Sequence, residues 1–221
     1  INSGAYVLEP SLNDVFLAGS KEAIWQLQPV NKIFNTAEGL SFVPSSPTRI
    51  PSYTLLPSLI SSFEPNDQRM VDWVGLSVIA GTSYYYPYKY KVKFSFSGPP
   101  YAEYNMVLRL AEQYLIRAEA LIKQNKISDA QSDLNIIRSR AGLPNTTAND
   151  QTSLLAAIMH ENQIEYFVEW GHRWLDLKRT GQADAVLSQI KGNNWQSTDT
   201  LYPISLYDLQ HNSQLKQNLG Y

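Results

Sequence analysis

"RLAEQYLIRAEALIKQNKISDAQSDLNIIRSRAGLP", Arg109 to Pro144, decides the fold. Val107, Leu110, Ala111, Tyr114, Leu115, Ala118, Leu121 and Ile122 recur at spacings of three and four, which makes one apolar face over about five helical turns. "NKIS" ends this helix. Ser128 has the character of an N-cap, and Gln131 three residues later completes a capping-box pattern. Ala130, Leu134, Ile137 and Ala141 carry the apolar face through a second helix, which Gly142 and Pro144 close. The connection is short, so the two helices are antiparallel neighbours. The pair, from about Glu103 to Ala141, has the length and turn of a tetratricopeptide-like unit, and no repeat at that period recurs elsewhere. One such unit cannot bury both of its faces, so flanking loops or sequence outside this chain must cover it.

Downstream, a third helix is expected from Thr152 or Ser153 toward Gly171. "HRWLDLKRTG" forms a fourth that stops at Gly181, "ADAVLSQIK" follows, and the tail reads as extended. Upstream the character changes. Ten of the 12 prolines lie in residues 1–100. "SLNDVFLAG" reads as a helix and "EAIWQLQPV" as a strand. Pro44, Pro47, Pro51 and Pro57 punctuate a loop-rich stretch. "YYYPYKYKVKFSF" alternates and reads as extended chain near a sheet edge, because Pro87 cannot donate to a ladder. "SGPP" is a turn. The fold class is therefore mainly α: tetratricopeptide-like helix pairs, with a loop-rich region carrying short strands. Residues 1–100 form the loop-rich, ligand-side region and residues 101–221 the helical one, in one continuous domain. The start at Ile1, without methionine and in mid-pattern, is read as that of a processed or truncated piece of a longer chain.

The helices carry charges that read as architecture. Counting from a turn midpoint near Lys126 sets Glu112 within reach of Arg138 and Arg140, as an interhelical ion pair. Glu165, Glu169 and Arg173 are four apart and share a face if the third helix continues through Gly171. Asp176 lies three beyond Arg173, and Arg179 three beyond Asp176. The signs alternate along one stripe. A glycosidase needs two carboxylates of separated pKa across a cleft. An arginine beside a carboxylate lowers its pKa and makes it a poor general acid. Trp174 and Leu175 are read as packing anchors of this segment, with Arg173 and Asp176 fixing its angle.

Composition narrows the rest. A net charge of −2 with no basic run argues against nucleic acid. Zero cysteines exclude disulfides and thiolate metal sites within the chain. "HENQI" at His160 begins like a zinc-protease helix, but Ile164 stands where the second histidine belongs. No metal or cofactor constellation forms, and no nucleotide-binding glycine pattern occurs. Aromatic residues make up 12%, led by 14 tyrosines, with five of them in the seven residues Tyr84 to Tyr90. Alternation would let Tyr84 and Tyr86 form one platform while Tyr85 packs inward.

"RLAEQYLIRAEAL", "DLNIIRSRAGLP", "HENQIEYFVEWGHRWLDLKRTG" and "LYPISLYDLQHNSQLKQNLGY" occur in the order typical of the SusD/RagB family, which the chain resembles. "SGAYVLEPSLNDVFL", "KEAIWQLQ", "NDQRM" and "YKY" resemble segments upstream of those helices, so the resemblance covers almost the whole chain. It departs from the pattern at Asn162, where arginine is usual, and at Ser205, Ser213 and Leu219, which replace prolines. Family members resemble this chain only in their C-terminal half; the lipidated cysteine and N-terminal repeats are absent from this sequence.

The resemblance implies a non-catalytic outer-membrane lipoprotein, facing outward and held by a lipid anchor. Such a protein catches an oligosaccharide or similar nutrient and passes it to a SusC-like TonB-dependent transporter, with no cofactor. Sugar capture needs flat aromatic faces plus amide and charged side chains for hydroxyls. Trp73, Tyr84, Tyr86 and Tyr88 are the ligand-binding candidates, and Trp25 and Trp195 further ones. Core packing is the competing role for each ring, above all for Trp25 and Trp174. A protein-binding helical scaffold and, less favoured, a hydrolase acting through Glu165 or Glu169 are the alternatives.

Overall fold

A computed structural model describes residues 1, 3–30, 33–96 and 102–221; the expected turn at "SGPP" lies outside these. The chain divides into two units, Ile1–Glu165 and Tyr166–Tyr221.

The first unit carries strands β1 (Ala23–Leu27), β2 (Val74–Ile79), β3 (Thr82–Pro87) and β4 (Asn105–Arg109). Its helices are α1 (Ala37–Phe42), α2 (Pro57–Ile60), α3 (Gln68–Asp72), α4 (Leu110–Lys123), α5 (Ile127–Arg140) and α6 (Gln151–Glu165). The change of character near residue 100 falls inside this unit. β1 pairs antiparallel with β4 across it, with Trp25 opposite Leu108 and Leu27 opposite Asn105. β2 and β3 make a separate hairpin joined by Ala80 and Gly81, both at positive φ. "SLNDVFLAG" is not a helix: only Leu12–Asp14 winds, as a short 3-10 turn.

The helix pair follows its sequence pattern. α4 buries Leu110, Ala111, Leu115, Ala118 and Ile122. α5 buries Ala130, Leu134 and Ile137. Asn125 takes positive φ at the turn between them. α5 starts one residue before the expected cap. Lys126 stands at its N-cap without a side-chain bond, while Gln131 donates to the Ala148 carbonyl across the next loop. The C-terminus is a Schellman closure, in which Leu143 N–H reaches the Arg138 carbonyl over Gly142 at φ +76°. Asp150 caps α6 by accepting from the amides of Thr152 and Ser153. α6 buries Leu154, Ile158 and Ile164 on one side.

α6 stops at Glu165, not near Gly171. Val168, Trp170 and Gly171 take positive φ, and turns join Glu169 to Tyr166 and His172 to Glu169. The expected stripe from Glu165 through Glu169 to Arg173 therefore does not exist, since Glu169 lies in a turn. The second unit then winds α7 (His172–Arg179), α8 (Ala183–Lys191) and α9 (Leu206–His211). Its own small core joins Leu177, Ala183 and Trp195, with Trp174, Val186 and Leu187 against them. Trp174 is half-buried and meets Trp195 edge-on at 6.2 Å. Leu175 is exposed and packs less than its anchor role requires. Arg179 pairs with Asp176 at 2.7 Å, as the spacing predicts. The tail is only partly extended. α9 interrupts it, and Gln217 and Asn218 then tie its end to the backbone of Ile204 and Tyr202. Among the described residues no helix is long and apolar enough to cross a membrane.

Candidate functional site

The charges of the first unit converge on one buried hub. Glu165, fully buried, accepts from Arg69 Nη1 at 3.0 Å and from Arg109 Nη1 at 2.5 Å, and also pairs with Arg140. Glu22 binds Arg109 at 3.0 Å and Arg140 at 2.6 Å. Asp67 clamps Arg69 through Nε and Nη2, both at 2.9 Å. Arg138 is shared between Glu64, at 2.6 and 3.0 Å, and Glu161 at 3.4 Å. So Arg138, Arg140 and Glu165 are brought together, but Arg138 and Arg140 find these glutamates in place of Glu112. A helix pair counted alone leaves out α6, the residue before β1 and the loop before α3, whose carboxylates reach the same helix end.

The hub is inaccessible to substrate. Burial raises the pKa of Glu165, but Arg140, Arg109 and Arg69 outweigh it and hold the carboxyl well below its usual range. Glu161 goes the other way. Burial pushes it up; Arg69 and Arg138 pull it down, but the Glu165 charge adds to the rise. Its Oε1 lies 2.6 Å from Arg69 Nη1 yet outside hydrogen-bond alignment. Two buried carboxylates locked on arginines do not make the acid and base of a hydrolase. No group of three or more histidine or acidic residues fit for a metal occurs among the described residues.

Trp73 forms the roof of this hub and not a ligand platform. It caps α3 and is fully buried. Its Nε1 donates to the Leu12 carbonyl at 2.9 Å, and Phe16 meets it edge-on at 5.7 Å. Lys89 Nζ sits 4.6 Å from its ring, with the Arg109 and Arg140 guanidinium groups at 5.8 and 6.0 Å. Cations gathered on one indole, each also held by oxygen acceptors, explain why a tryptophan is buried beside so much charge. Trp195 is likewise buried, with Nε1 on Asp184 Oδ1. Trp25 is the reverse case. Expected in the core, it is 53% exposed on the open face of β1.

The tyrosine row survives in altered form. Tyr84 and Tyr86 share one face of β3, opposite Ser77 and Gly75. A Cβ on Gly75 would lie 2.2 Å from the Tyr86 ring, so glycine is what lets that ring lie flat on β2. Tyr86 is thereby buried, a correction to its place in an open platform with Tyr84. Tyr85 is half-buried like Tyr84, so the expected inward–outward contrast falls instead between Tyr86 and its neighbours. Tyr88 meets Tyr86 edge-on at 5.8 Å. Burial, and then Tyr88, raise the Tyr86 pKa. Tyr84 and Tyr88, half-buried, flank the row.

Polar groups stand at the Tyr88 end. Lys91 Nζ lies 4.8 Å from the Tyr88 ring centre, donates to the Asp72 carbonyl at 2.8 Å, and also reaches Asn13 Oδ1. Asn13 Nδ2 donates to Asp72 Oδ1 at 2.8 Å. Burial lowers the Lys91 pKa, against the pull of Asp72 and Glu103. Ring faces beside an amide, a carboxylate and an ammonium are the donor and acceptor set that holds a pyranose. Asn13 and Asp72 carry no local signal, since "SLND" reads as helix and Asp72 reaches Asn13 only across 59 residues of chain. Lys91 was visible in the "YKYKVK" alternation. Gly75→Ala is expected to lift Tyr86 off β2 and disorder the row while leaving the helices intact; loss of near-ultraviolet dichroism with unchanged far-ultraviolet dichroism would show it.

The model of the SusD family matches residues 77–221. Starch-binding protein SusD of Bacteroides thetaiotaomicron is 36% identical over 122 residues, covering 52% of this chain and 21% of that protein. A SusD-like protein of Formosa agariphila is 31% identical over 133 residues, 56% of this chain and 26% of its own length. Among solved structures, a SusD superfamily protein from Bacteroides vulgatus superposes with a TM-score of 0.79 at 18% identity, over 100% of this chain and 56% of that one. Surface glycan-binding protein A from Bacteroides thetaiotaomicron, in complex with laminarihexaose, gives 0.72 at 21% identity, over 98% and 56%. The chain thus spans about half the length of these solved structures and about a quarter or less of the curated relatives' length.

Proposed function

The chain belongs to the SusD family, and on that premise we propose that it binds an oligosaccharide at the cell surface without catalysis. The observation that carries the reading is the half-buried Tyr88 ring beside Lys91, which Asn13 and Asp72 hold in place, with Tyr84 half-buried farther along the same row. The names of the relatives, a starch-binding protein and a glycan-binding protein in complex with laminarihexaose, support carbohydrate as the ligand class. The proposal extends to a lipid-anchored protein on the outer face of the outer membrane that delivers its ligand to a TonB-dependent transporter. Co-purification of that transporter with the native protein from outer-membrane extract tests this part.

Calorimetric titration with a panel that includes laminarihexaose and maltohexaose tests the ligand. A stacked ring contributes about 0.5–1.5 kcal/mol. Tyr84→Ala and Tyr88→Ala are each expected to weaken binding by roughly 2- to 13-fold at unchanged melting temperature. A folded protein that ignores every saccharide in the panel overturns the reading.

A further inference from the structure

A concave surface lies in the first unit, apart from the tyrosine row in its lining. It is a groove of about 710 Å³ between the α5–α6 connection and one side of α6. That volume lies within the roughly 300–1,000 Å³ of sites that hold small ligands. Its floor is the stripe Ser153, Ala156, Ala157 and His160, of which the first three are small and leave the space open. The facing wall is the connection from Pro144 to Asp150, and Glu64 with Arg138 closes one end.

This wall is held in place from behind. Asn135 Oδ1 accepts the Thr146 amide at 2.8 Å, Gln131 Nε2 holds the Ala148 carbonyl at 2.6 Å, and Arg138 Nε holds that of Pro144 at 2.9 Å. A preformed loop loses little entropy on binding. The Glu64 carboxylate is fixed in plane by two bonds from Arg138, which leaves its other lone pairs for hydroxyl donors. Asn145 and Asn149, exposed on the wall, bring amides that both donate and accept. His160 Nε2 is engaged with the Ser62 carbonyl at 2.9 Å, so its Nδ1 remains for a further bond.

Charge narrows the occupant. Arg138 is matched by Glu64 and Glu161, and Asp150 already occupies the start of α6. The groove therefore offers two carboxylates and no unmatched cation, which disfavours phosphate, sulfate and acidic peptides. Methyl groups on the floor face amides and a fixed carboxylate on the walls. With the His160 imidazole as the flat ring in this lining, that pattern suits a neutral polyhydroxylated ring held through its hydroxyls more than by stacking. We propose that the groove between α6 and the α5–α6 connection is a second saccharide site, built on Glu64, Asn145 and Asn149 over the Ala156–Ala157 floor. It rests on the saccharide-binding reading and adds to it a second point of attachment on one chain.

The test is a backbone-amide NMR titration of the full chain with laminarihexaose and, separately, maltohexaose. Amides of residues 145–150 should shift saturably with at least one of them, on a curve of their own, as those of residues 84–91 shift with theirs. Ala156→Phe, at an exposed helix position, fills the groove. It should abolish the shifts at 145–150 and leave those at 84–91 and the melting temperature unchanged. Shifts at 84–91 alone in the parent chain, or groove shifts that persist in Ala156→Phe, overturn the second site and leave the first reading standing. Silence everywhere overturns both.

Discussion

Glu165→Gln is expected to destabilise the first unit by about 3–5 kcal/mol, the range for a buried ion pair deprived of one partner. Whole domains are stable by only about 5–15 kcal/mol, so the variant sits near the edge of folding. Three guanidinium groups converge on this carboxylate. Glutamine keeps the shape but puts an amide donor among donors. Urea unfolding followed by far-ultraviolet dichroism measures the effect. A change below about 1 kcal/mol, the worth of an exposed pair, would show that the hub contributes little.

The same measurement against pH has a defined sign. The folded-state pKa of Glu165 is depressed, so its contribution is complete above the ordinary glutamate pKa and is lost as pH falls through the folded value. That of Glu161 is raised. Keeping it ionised costs stability above its folded pKa, and the cost disappears as pH falls to the unfolded value. The two oppose each other in acid. Glu161→Gln removes the opposing half, so its stability should rise with pH more steeply than that of the parent.

Trp73→Ala is the other large loss, about 3–5 kcal/mol for a buried aromatic cut to a methyl. The indole fills the space between Phe16 and three cations and bonds the Leu12 carbonyl. Removing it leaves both a void and a carbonyl without its donor. Trp25→Ala is the matched control: that ring is largely exposed, and its removal should move stability by no more than about 0.5 kcal/mol. Equal losses at the two positions would contradict the burial described above.

Local pattern carried α4 and α5, because a helix that buries one stripe must repeat every three or four residues. It failed where distant groups decide. Tyr166 and Phe167 extend the apolar run of α6, and no proline or glycine intervenes before Gly171, yet the helix ends at Glu165. The roles of Trp25 and Trp73 came out reversed. Alternation in β1 marks two faces without saying which is covered, and Trp73 is buried among charges whose partners lie far along the chain. Glu112 was the natural partner only for a helix pair considered alone. In the candidate site, the run of tyrosines is legible from the sequence, but alternation sets Tyr84 beside Tyr86, whose ring is buried. Asn13 and Asp72 are not legible, since they meet only when residues 59 apart are folded together.

The hub also orders events in time. Arg140 and Glu22 are 118 residues apart, Arg69 and Glu165 are 96, and Arg109 and Glu165 are 56. Closing such loops is slow relative to zipping a local hairpin. The α4–α5 pair is expected to form early, whereas the hub stays incomplete until Glu165, the last residue of its helix, has left the ribosome. A chain halted before that point would carry a finished helical hairpin whose Arg140 must share the single carboxylate of Glu22 with Arg109, a hub left with one cation too many.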